Sequence, residues 1–397
     1  MGQVLENSLR PATIVMGNID MAQLFAILHE CRSHHVKPLL GRGTMNAING
    51  DKSALQDIRI ARDSLSEEVP DIESLIADCT KAIRRNPTDA AAYHQRGFAY
   101  NRKGEFQNAI ADCLAAIRLA PNNAVTYRVL GSTYCLVGNY DEAIACCTTA
   151  IELDPSDAQA YGLRGDAHHG KNNYDQAIAD YTETIRLDPD DHFAYANRGA
   201  AHIGKGDLDQ AIADCTEAIR LDPENAWAYA CRGSAQYSMG EFDEAVADCT
   251  AAIQLDPRNA WAHARRGNAH HENGEFDEAL ADYTVAIRLE PDDAKGYCDR
   301  GFTYWSMGDF DRAIADCSEA IRLDPTMVSA YAYRGAAHRR NGDFQQAIAD
   351  CTEVIRLQPQ NAAAYRRRGV VYEAQGDKGK AAEDFERAQQ LKCYEER

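Results

Sequence analysis

Proline stands at positions 87, 121, 155, 189, 223, 257, 291, 325 and 359, at an unbroken spacing of 34 residues. No other feature restricts the chain as much. A block of that length is one supersecondary unit, too small to bury its own apolar face, so copies must stack to make a core. Between the prolines no stretch alternates polar and apolar with period two, which argues against strands, and each block reads as two helices. The regular units are 90–123, 124–157, 158–191, 192–225, 226–259, 260–293, 294–327, 328–361 and 362–395.

The punctuation inside the units agrees. Two residues after each proline stands Asp89, Asn123, Asp157, Asp191, Asn225, Asn259, Asp293 or Asn361, with Met327 the one lapse. A side-chain oxygen there caps the free amides that open a helix. The fifteenth residue is glycine except for Asn172, which suits a left-handed turn after the first helix. Glycine also fills position 8 of every unit, from Gly97 to Gly369. A mid-helix glycine costs about 1 kcal/mol relative to alanine. The expectation is therefore a neighbouring helix too close for a Cβ, with the alanine at position 20 as the facing small residue.

Position 7 is arginine in eight units and position 23 is aspartate in the same eight, Arg232 with Asp248 and Arg266 with Asp282 among them. The unit 124–157 has neither and carries Leu130 and Cys146. This joint variation predicts an Arg–Asp pair inside each unit, joining its two helices. Pairing across adjacent units would set Asp112 against Leu130.

An aromatic at position 4 (Tyr93 through Tyr365, His263 once), Gly at 8, Ala at 20 and mostly at 27, and the closing proline recur together. On these positions the chain resembles the tetratricopeptide repeat family, strongly over 90–395 and weakly over 36–89. The resemblance implies an all-α fold, a right-handed superhelical solenoid of antiparallel helix pairs whose concave groove holds a peptide or helix of another protein. It also implies that positions 2, 5, 9 and 12 of the first helix line that groove. Carried over residue by residue, the middle of the groove is Phe193, Trp227, Tyr237, Trp261, His271, Phe302 and Trp305, and its C-terminal end is basic, with Arg339, Arg366 and the adjacent Arg340. All three tryptophans fall on this surface, and tryptophan and tyrosine are favoured interface anchors. The family's clamp for an acidic C-terminus, Lys at 5 with Asn at 9, is absent apart from Asn268.

Outside the regular units, residues 1–35 read as a partly disordered N-terminal segment with one helix over 21–31, and 36–89 as degenerate repeat-like helices. At the other end Ala382 and Gln389 replace the larger apolar residues of earlier units, as a polar end cap requires.

A net charge of −19 argues against nucleic acid or an anionic membrane as partner. No apolar run is long enough to span a bilayer, the start lacks the pattern of a secretory signal, and Glu6 stands where myristoylation wants Ser or Thr. Seven of the thirteen cysteines (Cys79, Cys113, Cys147, Cys215, Cys249, Cys317, Cys351) share one repeat position. Neighbours one repeat apart are separated by about 10 Å if helix packing sets the distance, beyond the roughly 7 Å a disulfide tolerates. They read as small buried side chains in a reducing, cytoplasmic compartment.

Two stretches, GDAHHGKN (165–172) and GAAHIGKG (199–206), match the start of a phosphate-binding loop but lack its Ser or Thr and a preceding strand. Histidines at positions 11 and 12 (His168, His169, His202, His270, His271, His338) stand mostly where other units carry tyrosine, and read as packing residues. No nucleophile–base constellation is present. The expectation is a non-catalytic interaction scaffold without a cofactor, taking a protein or peptide with apolar or aromatic residues. The alternatives are a ligand or metal carrier using the histidine-rich inner face, or an accessory subunit of an enzyme complex.

Overall fold

A computed structural model describes residues 72–395, with side chains as far as Leu391. The readings for 1–35 and for the first part of 36–89 lie outside those residues. The described chain contains nineteen helices and no strand. They are α1 (Ile72–Arg85), α2 (Ala90–Lys103), α3 (Phe106–Leu119), α4 (Ala124–Leu136), α5 (Tyr140–Leu153), α6 (Ala158–Gly170) and α7 (Tyr174–Leu187). Next come α8 (His192–Lys205), α9 (Leu208–Leu221), α10 (Ala226–Met239), α11 (Phe242–Leu255), α12 (Ala260–Glu272) and α13 (Phe276–Leu289). The last are α14 (Ala294–Met307), α15 (Phe310–Leu323), α16 (Val328–Asn341), α17 (Phe344–Leu357), α18 (Ala362–Gln375) and α19 (Lys378–Glu395). From α2 onward, even helices open a unit and odd helices close it.

Each unit is an antiparallel pair, and the pairs stack as a right-handed superhelical solenoid. A first helix packs on its own second helix, on the second helix of the unit before, and on the next first helix. That direct contact between first helices puts them on the inner, concave side. The caps follow the sequence. Asn225 accepts from the Ala228 amide at 3.0 Å and Asn259 from Ala262 at 2.9 Å, whereas Met327 makes no side-chain cap. Residues at the turn position are left-handed, Gly240 at φ 85° and Asn172 at φ 60°.

At position 8 the facing group differs from the expectation. A Cβ on Gly97, Gly131, Gly199, Gly233 or Gly301 would lie 2.5–2.9 Å from the thiol sulfur at position 24 of its own second helix. On Gly165 and Gly267 it would meet a tyrosine ring, Tyr181 or Tyr283, at 2.8–2.9 Å. The alanine at position 20 contributes its backbone carbonyl instead, as Ala245 does at 3.2 Å from such a Cβ on Gly233. The row of cysteines therefore fills the space that the row of glycines leaves. Burial pushes the Cys113 and Cys249 thiols up to about 12, so they stay protonated and inert. Gly131→Ala is expected to destabilise by about 1–3 kcal/mol through overpacking, outweighing its helix-propensity gain. Urea denaturation of Gly131→Ala/Cys147→Ala should recover most of that loss, because the next contact is the Ala143 carbonyl at 3.4 Å. No recovery would sink the thiol explanation.

In the eight units with both residues, the position-7 arginine donates from Nε and Nη2 to the two oxygens of the position-23 aspartate at 2.6–3.0 Å. Arg232–Asp248 has its two bonds at 2.7 and 2.8 Å, Arg266–Asp282 both at 2.8 Å. The third nitrogen, Nη1, reaches out of the unit to a hydroxyl at position 25 of the preceding second helix, at 3.0–3.3 Å: Thr80, Thr148, Thr182, Thr216, Thr250, Thr284, Ser318 or Thr352. In seven of these units the guanidinium also lies 5.5–5.8 Å from the position-4 tyrosine ring. Where His263 replaces that tyrosine, its Nδ1 lies 3.0 Å from Asp282. One side chain thus ties a unit together and to its neighbour.

The exceptional unit replaces the whole set. Leu130 stands for the arginine, Cys146 for the aspartate, and the hydroxyl position before it is Leu114. Leu130 is 2% exposed, in an apolar cluster with Cys113, Ile117 and Val129 against which Leu114 and Cys146 pack. Polar and apolar versions exchange as complete sets because an arginine lacking its aspartate would be a buried, unpaired charge.

Candidate functional site

At roughly 100° per residue along a helix, positions 7, 8 and 11 of a first helix point at its own second helix. Positions 2, 6, 9 and 13 point the opposite way, flanked by 5 and 12. The concave surface therefore includes positions 6 and 13, which the four-position template omits. Position 6 is Gln95, Val129, Leu163, Asn197, Cys231, Arg265, Asp299, Tyr333 and Arg367 in turn. It scarcely repeats while its neighbours at 4, 7 and 8 do, and that contrast is the signal in the sequence that marks it.

The expected aromatic residues divide into wall and lining. Trp227 is only 4% exposed and belongs to a core cluster with Ala196, Cys215, Ala218, Ala228 and Cys231. Its Nε1 donates to Asn197 Oδ1 at 3.0 Å, and its ring lies 5.2 Å from that of Trp261. Expected as an exposed anchor, Trp227 is instead part of the groove wall, because Asn197 on the preceding first helix supplies the acceptor that lets the indole bury. Trp261 is half-buried and carries the Arg265 guanidinium 5.1 Å above its ring. Further along, the His271 ring is 4.7 Å from Phe302, which stacks at 6.0 Å on Trp305 and at 4.5 Å on Tyr333. His271 Nδ1 is 2.9 Å from Thr303 Oγ1, and burial lowers its pKa, keeping the imidazole neutral. The indole nitrogen of Trp305 is buried and has no hydrogen-bond partner.

Phe193 is half-buried with its ring 4.1 Å from His192, and Tyr237 leans at 5.7 Å on Phe242 of its own second helix. Arg339 is half-buried and Arg366 exposed. Arg340 folds over the Phe310 ring at 5.7 Å, toward the preceding second helix. The position-11 histidines do not form an inner face. His202 Nε2 is 3.9 Å from Asp214 and His270 Nε2 is 4.0 Å from Asp282, each on its own unit's second helix. Among the described residues no group of three His, Cys, Asp or Glu is placed to hold a metal.

A polar layer lies behind the lining. The Tyr181 hydroxyl donates to Asp166 Oδ1 at 2.8 Å, and Asn197 Nδ2 donates to the same oxygen at 3.3 Å. Tyr283 repeats the pattern with Asn268 Oδ1 at 2.8 Å. Only the two units with tyrosine at position 24 carry Asp or Asn at position 9, because a hydroxyl delivered there requires an acceptor. Burial pushes the Asp166 carboxyl up to about 7, although the bonds from Tyr181 and Asn197 favour its ionised form. A carboxyl near 3.9 when unfolded and raised in the folded state releases its proton first from the unfolded chain. Its contribution is thus complete below about pH 4 and is lost as pH rises toward 7. Asp166→Asn should remove that loss, so the variant's advantage in urea midpoint should grow between pH 4 and pH 7 and then level off. A constant difference would contradict the raised carboxyl.

Charge gathers in the same place. Burial pushes the Asp299 carboxyl up to about 6, against the opposing charges of Lys295 and Arg265. The Lys295 ammonium is held below its ordinary value by the charge of Arg265. No helix among the described residues is long and apolar enough to cross a membrane.

Stacked helix pairs with a side-chain-lined inner face define a repeat scaffold for protein interaction. Family models for the TPR repeat and the tetratricopeptide repeat match 88–156, 137–192, 192–225, 233–274, 267–308, 294–327 and 334–394. The chain belongs to the tetratricopeptide repeat family. Among solved structures, a human IFIT1 dimer with PPP-AAAA is similar at a TM-score of 0.53 and 14% identity, covering 86% of this chain and 94% of that one. A tetratricopeptide repeat protein from Parabacteroides merdae gives 0.49 at 18% identity, covering 62% and 98%. Yeast Tom70 gives 0.45 at 14% identity, covering 88% and 92%. No curated protein matches the chain.

Proposed function

We propose that this protein is a non-catalytic scaffold that holds a peptide or helix of another protein against the concave face of α8 to α18. The observation that carries the reading is the run of half-buried rings Trp261, His271, Phe302, Trp305 and Tyr333, which the repeat core does not require and which includes a buried indole donor without an acceptor. A bound backbone carbonyl or side-chain oxygen would complete that donor, and apolar side chains would cover the rings. The free, buried thiols support a reducing compartment such as the cytoplasm.

The test is selection of peptides from a random library on the purified chain, followed by anisotropy titration of those recovered. Selected peptides should be rich in Leu, Phe and Trp. Trp261→Ala/Trp305→Ala should weaken them at least about tenfold, roughly 1.4 kcal/mol, with far-UV circular dichroism unchanged. Undiminished binding by a folded double variant would place the site elsewhere.

A further inference from the structure

The cations on the first helices divide the array in two. Toward its N-terminal end they are neutralised within the chain. Lys103 pairs with Glu73 and Glu105 at 2.8 and 2.7 Å, Arg128 with Asp157 at 2.8 Å, and Lys205 with Asp175 and Asp207 at 3.1 and 3.4 Å. From α12 onward this stops for all but the position-7 arginines, which keep their aspartates. Arg265, Lys295, Arg339, Arg366 and Arg367 all stand at concave positions, and none makes an ion pair with any described residue. The carboxylates at concave positions of the same helices are Glu272, Asp299 and Glu373. Cations therefore outnumber acids on this stretch, in a chain whose net charge is −19.

Solvation alone does not explain the arrangement. Arg265 is half-buried with its guanidinium laid against Trp261, and Lys295 is near enough for the two charges to repel. Asp299 opposes both charges without making an ion pair to either, so the cluster keeps an excess of positive charge, which an incoming carboxylate relieves. These charges run beside the exposed edges of Trp261, Phe302 and Tyr333, so the surface offers alternating cationic and aromatic contacts. The lysine–asparagine clamp for a chain terminus is missing, which favours side-chain carboxylates over a terminal one.

We propose that the groove from α12 to α18 receives an internal acidic segment of a partner protein. Its carboxylates meet Arg265, Lys295, Arg366 and Arg367, and its apolar side chains lie on Trp261, Phe302 and Tyr333. The proposal rests on the groove reading above and names the chemistry of the occupant. Four first helices spaced about 10 Å apart span about 30 Å, enough for about nine residues of extended chain.

The probe is a fluorescein-labelled peptide of about twelve residues alternating Glu with Leu and Phe, blocked at both ends, a length chosen to exceed that span. Two companions replace every Glu by Gln or by Lys, and an oligothymidylate of equal length serves as competitor. With the full chain at low salt the Glu peptide should bind at least about tenfold more tightly than the Gln peptide, and the advantage should shrink at about 0.5 M salt. Arg265→Glu/Arg367→Glu should invert the order, so that the Lys peptide binds best; this gain cannot come from misfolding. Equal binding of the Glu and Gln peptides would overturn the acidic assignment alone and leave the groove reading standing. An unchanged order in the reversal variant, or displacement of the Glu peptide by an equal concentration of oligothymidylate, would likewise overturn it. Failure of both the Glu and Gln peptides to bind would count against the groove itself.

Discussion

Asp248→Ala should destabilise the array by about 3 kcal/mol, near the lower end of the range for breaking a buried ion pair from one side. The lower end applies because the Arg232 side chain keeps 21% of its surface in solvent and the Asp248 side chain 11%. After the substitution the guanidinium retains Thr216 at 3.2 Å and the Tyr229 ring at 5.7 Å but has no counter-charge. In a stack of nearest-neighbour interactions the damage is local. Hydrogen exchange should therefore quicken first in α10 and α11, with a shallower, earlier urea transition. The apolar set of the unit 124–157 supplies the companion experiment. Thr216→Leu/Arg232→Leu/Asp248→Cys reproduces Leu114, Leu130 and Cys146, and should return to within about 1.5 kcal/mol of wild type, as a volume-conserving core exchange does. A triple variant no more stable than Asp248→Ala would show that the two sets are not interchangeable.

Trp227→Ala should cost about 3–5 kcal/mol, the range for emptying a buried aromatic site. It removes a ring packed on Trp261 and leaves Asn197 Oδ1 without its donor. Trp227→Phe keeps most of the packing and isolates the hydrogen bond, worth about 1 kcal/mol. Trp261→Ala should perturb stability less, since that ring is half-exposed to begin with. Thermal melts of the three variants give the order directly, and equal losses for Trp227→Ala and Trp261→Ala would remove the distinction between wall and lining. The order also decides how binding experiments are designed. Loss of a partner in Trp227→Ala reports a collapsed wall, whereas loss in Trp261→Ala or Trp305→Ala reports contact.

The periodic part of this architecture is readable from the residues because each repeated position answers a local demand. A cap needs an oxygen at Asn225, a left-handed turn needs Gly240, and a close crossing needs Gly233. The pairing of arginine with aspartate is readable for another reason: Leu130 and Cys146 abandon it together. Threonine at position 25 carries the same signal, since Leu114 departs with them, but it becomes intelligible only once the guanidinium's third nitrogen is seen to cross between units. What escapes is side-chain direction. Trp227 and Trp261 share a repeat position, yet Asn197 accepts from the first and holds it inward while the second stays half-buried. Position 6 was hidden because a family template of four positions averages over the residue that varies most.

Hydrogen bonds are directional and apolar contacts are not. At eight joints an arginine reaches back to a hydroxyl on the preceding unit, which fixes the rotation of each pair on the last. Where Leu130 meets Leu114 that arginine is missing, and direction comes instead from bonds between the two first helices, Asn101 Nδ2 to Thr133 Oγ1 at 2.8 Å and His94 Nδ1 with Thr126 Oγ1 at 3.0 Å. The arginine ties thus run unbroken from the pair α4–α5 to α19 and again between α1 and α2, and at the one joint they skip, orientation is set on the concave side rather than between a first helix and the second helix before it.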